Sequence, residues 1–129
     1  MKLEKQIEKE ILAFLRIIGI YCWKNNSVGI FDPTSQRFRK SRNVYAINGV
    51  SDILGLVQGR LLAIEVKSEK GVLSNEQRQF ILKINEEGGI AFVARSVEQA
   101  ADTLLKFFPN DKKLKMFCKE YVQSRGMDH

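Results

Sequence analysis

Histidine is almost absent from this chain. There is one in 129 residues, and it is the last, His129. Histidine-based acid–base catalysis and histidine-rich metal sites are thereby excluded. Cysteine is nearly as scarce: Cys22 and Cys118 are the only two, far apart and without metal-ligand spacing. That excludes thiolate metal sites and leaves two buried, reduced thiols as the expectation. No apolar run approaches the ~20 residues that a membrane-spanning helix needs. The opening Met1-Lys2-Leu3-Glu4-Lys5 carries both signs of charge and leads into an amphipathic pattern. A signal peptide would need a basic end followed by an unbroken apolar stretch. The expectation is a cytoplasmic protein with no membrane association and no small-molecule cofactor.

What is present fits one domain. With 44% hydrophobic and 28% charged residues, the chain can bury one core and still be soluble. Its net charge of +6 and pI near 9.4 favour a polyanionic partner over an anionic metabolite. Two clusters carry much of that charge. Arg37, Arg39, Lys40 and Arg42 crowd a polar segment beside Phe38, and Lys106, Lys112, Lys113, Lys115 and Lys119 crowd the C-terminal part. Each cluster reads equally as a solvated face. Their position on both sides of the candidate site below favours phosphate contacts.

Periodicity orders the chain. Ile7, Ile11, Phe14, Leu15 and Ile18 recur at three- and four-residue spacing, so residues 3–18 form an amphipathic helix that Gly19 stops. Ile20 to Trp23 is a short strand. Lys24 to Asn43 reads as a long polar loop with room for a ragged hairpin, a length common in binding elements. Val44 to Ile47 reads as an edge strand or a lead-in, and Asn48-Gly49 as a turn. Asp52–Val57 and Arg60–Val66 are two strands joined by Gln58-Gly59. Leu61 to Ile64 is apolar at consecutive positions, which marks the second strand as central. Ser74 and Gln77 make a capping-box pattern for a helix that runs to about Glu87 and ends at Gly88-Gly89. Ile90 to Ala94 is a strand, Ser96 caps a helix to Phe108, and Pro109 stops it. Residues 110–124 read as a last basic amphipathic helix. The sum is an α/β sandwich around a small mixed sheet.

The chemistry concentrates between Gly49 and Gln77. Asp52 opens one strand and Glu65-Val66-Lys67 closes the next. Glu65 and Lys67, two residues apart, share a strand face. Burying them beside Ile64 and Val66 is costly unless they serve each other or a metal. A divalent cation with hard oxygen ligands can be held by two carboxylates plus a substrate phosphate. Asp52 and Glu65 meet that requirement, and the Val66 backbone carbonyl offers a third oxygen. Lys67 can orient or deprotonate an attacking water, or stabilise charge on a phosphate; the sequence does not choose. The alternative is a plain Glu-x-Lys ion pair on an exposed strand.

Gly49-Val50-Ser51-Asp52, Glu65-Val66-Lys67 and Gly71-Val72-Leu73-Ser74-Asn75-Glu76-Gln77 resemble the motifs of the VRR-NUC (virus-type replication-repair nuclease) family of the PD-(D/E)XK superfamily, over roughly residues 4 to 100. Ser51 stands where the superfamily name has proline, which is not a ligand. The resemblance implies a restriction-endonuclease-like core, a mixed sheet flanked by helices in αβββαβ order, with an extra C-terminal helix. Residues 1–108 would be the nuclease domain, and 109–129 a basic helix and tail on the same domain. It implies Asp52 and Glu65 as metal ligands, Lys67 as the catalytic lysine, and Gln77 as a helper for water or phosphate beside its capping role. It also implies a carboxylate on the first helix, Glu8 ahead of its rival Glu4. Mg²⁺ is the implied cofactor, with Mn²⁺ able to substitute. Small stand-alone members resemble phage-type homodimers that cut branched DNA, which implies a structure-selective endonuclease, with Holliday junction resolution foremost. Expected DNA contacts are Arg37, Arg39, Lys40 and Arg42, with Lys24, Asn26 and Ser74 beside the site. The alternatives are a DNA-binding module without catalysis, and a nuclease acting on flaps or unbranched duplex.

Overall fold

The computed structural model describes residues 1–26, 30–32, 37–39 and 44–126. Helix α1 (Glu4–Ile17) buries Ile7, Ile11, Phe14 and Leu15, the stripe that the three- and four-residue spacing demands. Gly19, at a φ of +87°, turns the chain into strand β1 (Tyr21–Lys24). A two-stranded antiparallel ribbon follows, β2 (Ile30–Asp32) against β3 (Arg37–Arg39). The long polar segment therefore contains two paired strands, the option of a ragged hairpin. Residues 44–49 form turns with no strand, and Val44, Tyr45 and Ile47 are exposed. The edge-strand option for this segment fails; of the two readings, only the lead-in remains. The segment pairs with no strand of the four-stranded sheet, and β-prone residues form a strand only where a neighbour supplies hydrogen bonds.

Strands β4 (Ile53–Val57) and β5 (Arg60–Val66) form a hairpin. Its turn residues Gln58 and Gly59 both have positive φ, the type I′ geometry that matches strand twist. Helix α2 (Asn75–Glu86) carries the chain to β6 (Ile90–Ala94). The sheet order is β1-β4-β5-β6. The first two pairings are antiparallel and β5–β6 is parallel, so β5–α2–β6 is a crossover unit. With the ribbon set aside, the order α1-β1-β4-β5-α2-β6 is αβββαβ. Helices α3 (Val97–Phe107) and α4 (Lys112–Gly126) follow.

β5 lies inside the sheet, and its last five residues, Leu62 to Val66, are all buried. Leu62, Ile64 and Val66 enter the main core with residues of α1, α3 and α4. Ala63 joins Phe80 and Ala91 under α2 on the other face. α4 starts at Asp111, whose Oδ1 accepts the Leu114 N–H at 2.9 Å, and it sends Leu114 and Cys118 into the core. Both cysteines are free and buried. Burial, then the nearby Asp102 and Asp111 charges, pushes the Cys118 thiol up to about 11, so it is inert at neutral pH.

Gly49 has a φ of +78°, and a Cβ there would lie 2.6 Å from the Gln77 nitrogen and closer still to the Glu76 carbonyl. Gly59 has a φ of +79° but open space around it. Gly59→Ala should thus cost about 1 kcal/mol, from backbone strain alone, and Gly49→Ala clearly more. Urea unfolding of the two variants checks this; equal losses would mean that the start of α2 moves aside freely.

Candidate active site

Register builds the site. Ile53 pairs with Ile64 across the hairpin, so Asp52, just before β4, faces Glu65 near the end of β5. Alternation puts Glu65 on the same sheet face as Ala63, which is the α2 face. Asp52 Oδ2 accepts the Val66 N–H at 2.8 Å, and the Asp52 carbonyl accepts the Asn25 N–H at 2.7 Å. Asp52 is thus tied on both sides, by its carboxylate to β5 and by its backbone carbonyl to the residue after β1. The Lys67 N–H continues the parallel ladder to Ala94 O at 3.1 Å.

Glu65 is 2% exposed, and its Oε2 has no hydrogen-bond partner among the described residues. Burial raises its carboxyl pKa most. A hydrogen bond with Asp52 and the Asp52 charge raise it further, Lys67 opposes them, and the result is about 9. Metal-free Glu65 therefore keeps its proton at neutral pH, as a buried carboxyl beside a second acid must.

The pair opens into a cleft of about 490 Å³ lined by Lys24, Asn25, Asn26, Gly49, Val50, Asp52, Glu65, Ser74, Glu76 and Gln77. The first turn of α2 forms one wall. There Ser74 Oγ accepts the Gln77 N–H at 3.1 Å, and Gln77 Oε1 accepts the Ser74 N–H at 2.9 Å. Gln77 both caps the helix and lines the cleft. Lys24, Asn26 and Ser74 line it too. Arg37 and Arg39 lie on β3, while Lys40 and Arg42 lie outside the described residues.

Neither Glu4 nor Glu8 of α1 joins the carboxylate pair. Glu8 Oε1 meets Lys24 Nζ at 3.2 Å, so it touches the cleft only through that lysine. Glu4 Oε2 and the Lys67 side chain both border Gly71. Among the described residues no group of three or more acidic, histidine or cysteine side chains is placed to hold a metal. Asn25 was not anticipated, and no motif marks it; it enters because it follows β1 across from Asp52.

A mixed four-stranded sheet with helices on both faces and a carboxylate pair at one strand end defines the PD-(D/E)XK-like class of nuclease core. Domains of that class generally use divalent metals. The family model of the VRR-NUC domain matches residues 34–98, half of the chain, and the chain belongs to that family of nucleases, whose substrate is DNA. No curated protein matches it. The matched segment begins after α1 and β1, so the α1 glutamates stand outside it.

The donor set suits a hard cation: two carboxylates, one of them buried with an orphaned oxygen. Without metal that arrangement is a liability that grows with pH. An unfolded Glu65 loses its proton near 4.5, whereas the folded one holds it to about 9. The stability linked to that proton is full below pH 4.5 and drains away as pH rises toward 9. In EDTA, Glu65→Gln should match the wild type in thermal stability near pH 4 and exceed it by a margin that widens up to pH 9. A margin constant across that range would contradict the raised carboxyl.

Proposed function

We propose that this protein is a divalent-metal-dependent, structure-selective DNA endonuclease that hydrolyses phosphodiesters in branched DNA, with four-way junctions as the principal substrate. The observation that carries the metal-dependent chemistry is Glu65, buried against Asp52 with one oxygen unpartnered at the cleft. The branched substrate is supported by the resemblance to small stand-alone members of the family. That resemblance also supports a homodimer, since a two-fold junction needs two sites for paired cuts. On this reading residues 1–108 are the nuclease domain, 109–129 extend it, and the work is done in the cytoplasm. No helix among the described residues is long and apolar enough to cross a membrane.

Asp52 and Glu65 would hold Mg²⁺ or Mn²⁺, with the Val66 carbonyl as a further oxygen. Bound there, the cation supplies charge neutralisation at the phosphate and a more acidic water. The protein's residues do the rest. The Val66 N–H fixes one Asp52 oxygen, leaving the other for the ligand. Glu65 would have to release its proton to serve as a ligand. Lys67, close enough to Glu65 to lower its pKa, presents an ammonium to the attacking water or to the charge building on the phosphate. Gln77, Ser74, Asn26 and Lys24 line the cleft where a phosphate backbone would lie, with Arg37, Arg39, Lys40 and Arg42 as further contacts. Glu8, with Glu4 as its rival, would have to move in from α1 to join the ligand set, since neither stands with the pair here.

A panel of four-way, flap, nicked and linear DNA tests the reading. Cutting is expected with Mg²⁺ or Mn²⁺ and not with Ca²⁺, strongest on the four-way junction. Lys67→Ala should bind that junction as the wild type does and cut it about 10²–10⁴-fold more slowly. Binding without cutting on every DNA and metal would favour a non-catalytic DNA-binding module instead.

Divalent-metal affinity should also rise with pH up to about 9, because the cation must displace the proton that Glu65 retains. Calorimetric titration with Mn²⁺ at several pH values reads this directly; an affinity flat in pH would remove Glu65 from the ligand set.

A further inference from the structure

The loop that joins β5 to α2 carries Lys67 at one end and the Ser74 cap at the other. Three of its carbonyls converge on one nitrogen from outside the motif. Arg95, the first residue after β6, donates Nη1 to Ser68 O at 2.6 Å, to Gly71 O at 2.8 Å and, more weakly, to Glu69 O at 3.4 Å. Its own N–H donates to Gln99 Oε1 on α3 at 2.8 Å. Gly71 in turn abuts the lysine: a Cβ at position 71 would meet Lys67 Cδ at 3.2 Å and Lys67 Cβ at 3.3 Å, with Glu4 Oε2 also at 3.3 Å. Hydrogen bonds thus run from the guanidinium to the loop carbonyls, and the loop passes close beside the stem of Lys67 at Gly71.

Physical chemistry gives this arrangement a purpose. Loop carbonyls outside a sheet ladder need donors from elsewhere, and charge-assisted bonds from a rigid guanidinium hold position better than water does. Lys67 has four rotatable side-chain bonds and an ammonium that must stay on the Glu65 face. A stem with backbone close beside it has fewer rotamers open to it before substrate arrives.

We propose that Arg95 is a positioning residue for Lys67: by gripping the Ser68 and Gly71 carbonyls it seats Gly71 against the lysine stem and confines the ammonium to the face shared with Glu65. This rests on the nuclease reading above and on Lys67's part in it. Arg95 touches neither Asp52 nor Glu65 among its described hydrogen bonds, so its effect passes through the loop alone.

The test is a double-mutant cycle in single-turnover cleavage of a four-way junction with Mg²⁺. Arg95→Met should slow cutting at least about tenfold with junction affinity unchanged. Arg95→Lys, which keeps the charge on a shorter reach, should recover part of the rate and provides a folded variant should Arg95→Met not fold. In a Lys67→Ala background, Arg95→Met should cost nothing more, because its target is gone. A second readout needs no metal or substrate: in the EDTA-treated protein, Arg95→Met or Arg95→Lys should shift the NMR resonances of the Gly71 amide and the Lys67 side chain together. The same loss in both backgrounds, or an unmoved Lys67 resonance, would overturn the proposal. Wild-type cutting by Lys67→Ala alone would remove the nuclease role of Lys67 and this proposal with it. An additive loss removes Arg95 only.

Discussion

A carboxylate buried to 2% exposure near the end of an inner strand is the constraint around which this molecule is arranged. Glu65 sits among five consecutive buried residues at the end of the central strand. Desolvating it is unfavourable, and its partner Asp52 is a second acid rather than a base. The main core covers the opposite face of β5 through Leu62, Ile64 and Val66, and that packing holds the strand where Glu65 must be. The structure thus tolerates a locally poor electrostatic arrangement because a large apolar core enforces it, the usual relation between a functional site and the scaffold that carries it.

Three chain segments meet at that point, and each arrives for its own reason. The β4–β5 hairpin is antiparallel, so the start of one strand and the end of the next share an edge. β5 and β6 are parallel, so the crossover brings the first turn of α2 back over the same edge. β1 lies tight against β4: a Cβ on Gly55 would approach Tyr21 O to 2.6 Å. That closeness lets Asn25 and Lys24 reach the Asp52 end. Open mixed sheets tend to place ligands at the carboxyl ends of parallel strands, and this cleft follows that rule.

Much of this was legible from residue order. The α1 stripe, the hairpin at Gln58-Gly59, the Ser74–Gln77 box and the central strand all follow from local signals that tertiary packing reinforces. Val44 to Ile47 shows the limit. Its residues favour a strand, yet it forms turns and adds to neither sheet of the described residues. The helix-1 carboxylate shows another. Glu4 and Glu8 lie one turn apart and look equivalent in sequence, but one borders Gly71 beside Lys67 and the other is held by Lys24. Arg95 gave no signal at all, because its importance lies in three carbonyls that only the folded loop brings within reach.

Residue order by itself determined the elements, the family and the pairing of Asp52 with Glu65, since strand alternation and a short hairpin are local geometry. The fold alone decided that Glu65 would be buried with an orphaned oxygen, that Glu8 would turn to Lys24, and that an arginine after β6 would clasp the loop behind the lysine. Those outcomes depend on desolvation and on distances between segments far apart in the chain, quantities that exist only once the core has closed.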